Sequence, residues 1–276
     1  MTALLVYTPT FDGGLRDECR QSVLAQDYAG PWEWVIDEDD PFPPPDARNV
    51  LAKYQRARSR VLAGDYDALV TVEHDMVLPA DAFTKLAGTG ADVVYGTYVL
   101  RHGSNVLNTW QYIGGRNLGE SLTLHPRELA ILRQAGRGRV SGVGWGCTLI
   151  WRRVLERIAF HDDDGQNPSA DLAFAVDVQR AGLVAMARFD VACGHMEGDA
   201  LLHPWEIGRI NMVQVEALQT VNVLVGTIVR LQAGQHYELP AAEAHELQRA
   251  GYVRILAPAG PETATAKRAT EKAVKK

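Results

Sequence analysis

Along the first hundred residues, short apolar runs alternate with longer segments whose apolar positions recur at helical spacing. Ala3-Leu-Leu-Val-Tyr7 is a compact apolar run and predicts a first strand. Thr8-Pro-Thr-Phe-Asp-Gly-Gly14 is rich in turn formers and predicts a loop. From Arg16 to Gln26 the apolar residues Cys19, Val23 and Leu24 fall at helical spacing. Trp32-Glu-Trp-Val-Ile36 predicts a second strand, which runs into the acidic cluster Asp37-Glu-Asp-Asp40. Pro41-Phe-Pro-Pro-Pro45 is loop, because proline continues neither helix nor ladder. Ala47 to Ala63 predicts a helix closed by Gly64. Ala68-Leu-Val-Thr-Val72 is a third strand, Pro79 to Leu86 a short helix with proline in its first turn, and Asp92 to Val99 another strand. Strands that alternate with helices imply βαβ units, hence an α/β fold with a mostly parallel sheet flanked by helices.

The pattern then loosens. Val106–Tyr112 predicts a strand and Pro126–Gln134 a helix. Gly142-Val-Gly-Trp-Gly-Cys-Thr-Leu-Ile-Trp151 begins as a glycine-rich loop and ends as a strand. Arg152–Ile158 is a short helix and Asp162-Asp-Asp-Gly165 a turn. Ala170–Ala181 is a helix ended by Gly182, and Leu183–Val191 is a strand leading to Cys193-Gly-His-Met-Glu197. Beyond about residue 220, Thr227–Leu231, His236–Leu239, the helical stretch Pro240–Ala250 and Tyr252–Leu256 make a small ββαβ-like α+β unit. The expected division is therefore 1–220 for the main domain, 221–257 for the small module and 258–276 for a disordered basic tail. A core as small as the module's is marginal alone, so it is expected to pack on the main domain or on another copy, the latter giving a homo-oligomer.

Composition narrows the classes. The chain has 276 residues, 46% hydrophobic and 22% charged, which suits a globular protein with a real core. A formal net charge of −6 argues against general affinity for nucleic acid or anionic membrane. Cys19, Cys147 and Cys193 are few and widely spaced, and fit neither a disulfide framework nor a zinc site. That suggests a reduced, cytoplasmic setting. The first residues carry no basic segment and break at Pro9, so they read as a strand and not as a signal peptide; no apolar stretch is long enough to span a bilayer.

The chemistry concentrates at Glu73-His74-Asp75, directly after the apolar run 68–72. Open α/β sheets hold ligands at the carboxyl ends of their strands. Two carboxylates there suit a hard divalent cation, which takes one or two protein carboxylates and completes its shell with phosphate oxygens. A solvated acidic loop is the plainer account of the same triplet.

The order of motifs resembles the family 2 glycosyltransferases of the GT-A fold. The likeness runs through Tyr7-Thr-Pro-Thr10, Ser22-Val-Leu-Ala-Gln26, Glu33-Trp-Val-Ile-Asp37, Ala57-Arg58-Ser59 with Gly64-Asp-Tyr66, and Glu73-His-Asp75 with Pro79. It covers roughly residues 3–196 and is strongest over 3–100. The resemblance implies a GT-A-like (Rossmann-like) sheet and a UDP- or GDP-sugar donor. In it Thr8, Pro9 and Asp37 line the base and ribose pocket, and Arg58 contacts the nucleotide. Asp75 binds Mn²⁺ or Mg²⁺, with Glu73 beside it or reaching the ribose. Glu73 stands where the family has aspartate, which leaves its role more open than that of Asp75.

The later motifs extend the likeness. Gly142-Val-Gly-Trp145-Gly146, Asp171-Leu-Ala-Phe174 and Gly194-His195 look like the family's glycine-rich segment, base and late histidine. The resemblance implies that Asp171 is the general base, that His195 completes the cation site with His203 as a rival, and that Trp145 is a platform for a sugar ring. Bland readings stand beside each. Asp37 fits a solvated loop acid, and Arg58 an exposed basic face with Lys53, Arg56 and Arg60. Asp171 fits a helix-dipole acid, His195 a plain hydrogen-bonding residue, and Trp145 a core residue next to Trp151. Asp162, Asp163 and Asp164 are reserve bases.

The expected activity is single-sugar transfer from a nucleotide sugar to an acceptor hydroxyl, inverting at the anomeric carbon; the acceptor is not specified. The alternatives are a non-catalytic carbohydrate-binding or virion structural protein on the same fold, and a sugar nucleotidyltransferase. The 227–256 pattern resembles short modules of phage-encoded proteins, which would place the protein in a bacterial host cytoplasm.

Overall fold

In the computed structural model of the chain the described residues are 1–11, 14–43, 46, 48–100, 106–111, 121–123, 134–162, 170–204, 212–225, 227–240, 244 and 247–256. They divide into two compact units, Met1–Ile207 and Gly208–Lys276.

In chain order the first unit contains β1 (Leu4–Pro9), α1 (Asp17–Leu24), β2 (Trp32–Asp37), α2 (Arg48–Ala63), β3 (Ala68–Val72), β4 (Met76–Val77) and α3 (Ala82–Ala87). It continues with β5 (Val93–Thr97), β6 (Val106–Gln111), β7 (Ser121–Thr123), β8 (Arg137–Val143), β9 (Cys147–Trp151), α4 (Arg152–Leu155), α5 (Ala170–Arg180), β10 (Ala185–Ala192), β11 (Gly194–Glu197) and β12 (Ala200–Leu202).

Among the described residues, nine of these strands form one sheet in the order β2-β1-β3-β9-β5-β10-β8-β6-β7. The α/β class expected from the sequence is what forms, with a sheet that is mixed. β1 runs parallel to β2 and β3, and β5 parallel to β10. β9 enters between β3 and β5 antiparallel to both, and β8, β6 and β7 continue antiparallel beyond β10. The reason lies in the connections. Strand–helix alternation ends at β5, and parallel pairing depends on crossover connections.

β1, β3 and β5 are buried along their whole length, as their uninterrupted apolar runs require. α2 buries Asn49, Lys53, Ala57 and Val61, a row at four-residue spacing, together with Tyr54. Two arginines exchange ends between α2 and α4. Arg152 Nη1 and Nη2 donate to the carbonyls of Val61, Leu62 and Gly64 at 3.1, 2.9 and 2.6 Å. Arg58 Nε donates to those of Leu155 and Ile158 at 2.8 and 3.2 Å. Each satisfies carbonyls at a helix end that have no partner within the helix. α5 stops where Gly182 adopts φ 71°, allowing the Leu183 amide to donate back to the Val178 carbonyl at 3.0 Å.

The second unit holds β13 (Met212–Ala217), β14 (Val221–Val225), β15 (Thr227–Leu231), β16 (His236–Pro240) and β17 (Val253–Ile255). β13 is the middle strand of an antiparallel sheet β16-β13-β17, and β14 pairs with β15. Val215, Ala217, Leu231, Leu239, Ala244 and Val253 are its buried core. The unit thus begins earlier than residue 221, because β13 supplies Val215 and Ala217 to that core. Of the helix expected over 240–250, residues 247–249 are helical and most of the rest lie outside the described residues, as do the helix expected at 126–134 and the tail 258–276. No helix among the described residues is long and apolar enough to cross a membrane.

Candidate functional site

The Glu73-His74-Asp75 turn is fixed from several sides by backbone bonds. The Glu73 amide donates to the Gly146 carbonyl at 3.0 Å, and the Met76 amide closes the turn on the Glu73 carbonyl at 3.0 Å. The Arg16 amide reaches the His74 carbonyl at 3.1 Å, and the Met196 amide the Asp75 carbonyl at 2.9 Å. Cys19 Sγ donates to the Glu73 carbonyl at 3.4 Å. Leaving the turn, β4 pairs with β11, which sets His195 opposite Met76.

This pairing brings Asp75 and His195 together. They are 3% and 5% exposed, with Nε2 of His195 3.4 Å from Oδ2 of Asp75. The other ring nitrogen, Nδ1, is 2.7 Å from the Val99 carbonyl, which only accepts, so Nδ1 carries a hydrogen. In the neutral imidazole Nε2 then presents a lone pair to a carboxylate. A shared proton or a cation is what makes that contact favourable. A carboxylate oxygen and an imidazole nitrogen are both atoms that can ligate a divalent metal ion.

Among the described residues no three His, Cys, Asp or Glu side chains gather as a metal-ligand set. The charges of Glu73 and Asp171 both act on the phenols of Tyr54 and Tyr98. Burial, and then these two negative charges, hold both phenols well above the usual tyrosine pKa. Asp171 sits in the first turn of α5, where its Oδ1 accepts the Leu172 amide at 2.9 Å. Glu73 and Asp171, far apart in sequence, thus act on the same two phenols.

Trp145 follows its core reading. It is 3% exposed, and its ring lies 4.3 Å from that of Tyr54, 4.9 Å from Phe160 and 5.9 Å from Phe174. The flanking glycines serve packing as well. A Cβ on Gly146 would fall 2.7 Å from the Tyr98 ring, and one on Gly144 would collide with Asn108 and the Tyr98 hydroxyl.

A second corner forms where β1 and β2 end. Thr8 and Pro9 lie in register with Ile36 and Asp37. Thr8 Oγ1 accepts Trp34 Nε1 at 3.0 Å. The Asp37 carboxylate accepts the Tyr7 hydroxyl and Arg56 Nε, the latter at 2.9 Å. Burial, with the Asp37 charge, raises the Tyr7 phenol pKa. Tyr7, Asp37, Asp39, Arg56 and Arg60 border a cleft of about 440 Å³. Arg58, expected at the nucleotide, is turned instead to the end of α4. Lys53, read as part of an exposed basic face, is fully buried. Its Nζ lies 2.6 Å from Asp40 Oδ1, donates to the Thr10 carbonyl and stands 4.7 Å from the Phe11 ring centroid. The signal was legible, since Lys53 occupies the four-residue row of Asn49, Ala57 and Val61. Tyr7, Arg56, Tyr54 and Tyr98 carried no comparable signal. His203 follows β12, Asp162 is exposed, and Asp163 and Asp164 lie outside the described residues.

No protein-family model matches the sequence, and comparison with curated proteins finds no match. Among solved structures the chain is similar to the crystal structure of A197 from STIV, with 20% identity and a TM-score of 0.51, over 74% of this chain and 91% of that one. At that identity the likeness is one of fold. A more distant likeness joins it to the structure of the inositol-1-phosphate CTP transferase from T. maritima, at 7% identity and a TM-score of 0.39, over 71% of this chain and 89% of that one. At that score it carries no argument about function.

Proposed function

We propose that the unit Met1–Ile207 is a GT-A-like, divalent-cation-dependent glycosyltransferase that takes a nucleotide sugar and passes one sugar to an acceptor hydroxyl. The observation that carries this reading is the buried Asp75–His195 pair just past the end of β3, with an imidazole nitrogen facing a carboxylate oxygen at 3.4 Å. Asp75 and His195 would hold Mn²⁺ or Mg²⁺. The ion, when bound, supplies positive charge against the negative charge that builds on a departing diphosphate.

The remaining roles belong to the chain itself. The Thr8–Pro9 and Asp37 corner would receive the base and ribose, with Arg56 keeping Asp37 fixed and Lys53 tying the loops after β1 and β2 together. Tyr54 and Tyr98, close to Glu73, would keep that carboxylate directed toward the donor sugar. Asp171 would take the proton from the acceptor hydroxyl, which suits inversion at the anomeric carbon. Its place at the start of α5, with its charge acting on the same phenols as that of Glu73, supports that part.

The test is sugar-nucleotide hydrolysis and transfer with Mn²⁺, for the wild type and Asp75→Ala. Turnover in the wild type that is lost in Asp75→Ala supports the reading. Equal turnover in both removes Asp75 from the mechanism.

A further inference from the structure

Tyr98 lies just beyond β5, buried, and reaches both halves of the site. Its hydroxyl accepts the Gly146 amide at 3.2 Å and is bonded to Nδ2 of Asn108. The carbonyl of the same Gly146 accepts the Glu73 amide at 3.0 Å. One residue thus relays the phenol to the backbone that carries Glu73. The ring of Tyr98 lies against the α-carbon of Gly146, close enough that any side chain there would displace one or the other.

The other limb runs through the ring. Its centroid is 5.4 Å from that of His195 at an interplanar angle of 83°, an edge-on contact that limits how the imidazole turns. The next carbonyl in the chain, that of Val99, accepts Nδ1 of His195 at 2.7 Å. The segment itself is held by the Asn108 amide on the Tyr98 carbonyl at 2.9 Å and by the bridge between Val99 and Leu107.

We infer that Tyr98 is a positioning residue that keeps the Glu73 turn and the His195 imidazole in register, the first through its hydroxyl and the second through its ring. The inference rests on the reading of Asp75 and His195 as a cation site. It assigns Tyr98 no contact with the reacting atoms. It also gives Asn108 and Gly146 a reason to be what they are, as the hydroxyl's partners.

Two substitutions separate the limbs. Tyr98→Phe keeps the ring and removes the hydroxyl; Tyr98→Leu removes both. The probes are calorimetry with Mn²⁺ alone and with UDP plus Mn²⁺, and amide hydrogen exchange at Glu73 and Gly146 followed by NMR. In Tyr98→Phe the Glu73 and Gly146 amides should exchange about tenfold faster while amides of β1 keep their rates. UDP binding in the presence of Mn²⁺ should weaken about tenfold, with the affinity for Mn²⁺ alone little changed. Tyr98→Leu should in addition weaken Mn²⁺ alone by about tenfold. Unchanged exchange at the two amides, or unchanged affinities in both variants, overturns the inference, as does faster exchange spread evenly over the core. Failure of the cation reading looks different: the wild type and Asp75→Asn would then be equally indifferent to Mn²⁺. In that event the exchange at Glu73 and Gly146 decides by itself, local acceleration in Tyr98→Phe supporting the positioning role and its absence overturning it.

Discussion

Asp37 ends β2 and Asp75 sits just past the end of β3, and both are nearly shut off from solvent. Their neighbours differ in kind. Asp37 receives a guanidinium and a phenol, groups that arrive carrying hydrogens. Asp75 faces Nε2 of an imidazole whose proton, in the neutral form, is already spent on the Val99 carbonyl. The first carboxylate is neutralised from within the fold, which fixes the corner proposed to receive the base and ribose. Between Asp75 and the neutral imidazole, a proton or a metal ion would add attraction that the two acceptor atoms do not supply to each other. Burial alone therefore does not mark a functional acid; what distinguishes the two corners is which atom is turned toward the carboxylate.

The largest effect should come from removing the charge of Asp75. Asp75→Asn is expected to weaken Mn²⁺-dependent UDP binding by about a hundredfold or more, since one of two protein donors becomes a neutral amide. Calorimetry checks it, and a loss under about threefold would erase the contrast between the corners. Asp37→Asn should do the reverse. Breaking a buried pair by neutralising one partner is expected to cost about 2–3 kcal/mol, reduced from the fully buried range because Arg56 can rehydrate. Urea denaturation should show that loss, with the affinity for Mn²⁺ unchanged. If Asp37→Asn instead abolishes Mn²⁺ binding, the Asp37 corner is not separate from the cation site.

A smaller, graded effect belongs to alkaline pH. Burial, with the charge of Asp75 next in weight, raises the Cys19 thiol from 9.0 to about 12. Burial likewise raises the Tyr7 phenol. Both groups keep their protons more tightly when folded; the contribution of Cys19 is fully present below pH 9 and is lost as pH climbs toward 12, and that of Tyr7 is lost at higher pH still. Melting temperature should fall progressively over that window. Cys19 should also resist alkylation at pH 8 in the folded protein and react once it is unfolded. Fast alkylation of the folded chain would mean that the Glu73 turn opens readily.

How far the sequence carries differs between the same two corners. The elements were legible where apolar runs are uninterrupted: β3 has the expected bounds, and α2 falls within one residue of its expected start. The position of Asp75 after β3 was readable for the same reason. The mixed sheet was not, because local periodicity does not record which strands pair, and β9 is inserted between strands that precede it in the chain. Of the Asp37 corner, Lys53 could have been read from its place in the buried row of α2, yet its charge suggested a solvated face. Tyr98, Asn108 and Val99 gave no sign, since their partners at Gly146, Glu73 and His195 come from distant segments brought together by β5, β9 and β11. Trp145 was half legible. Its apolar character was plain, but the cover from Tyr54, Phe160 and Phe174 on separate elements was not.

The most direct test is a crystal grown with UDP and Mn²⁺, with diffraction recorded at a wavelength where manganese scatters anomalously. An anomalous peak in contact with Asp75 Oδ2 and His195 Nε2, with the diphosphate beside it, is the predicted result. A peak at Asp37 or elsewhere, or a bound nucleotide with no peak near residue 75, would contradict the account.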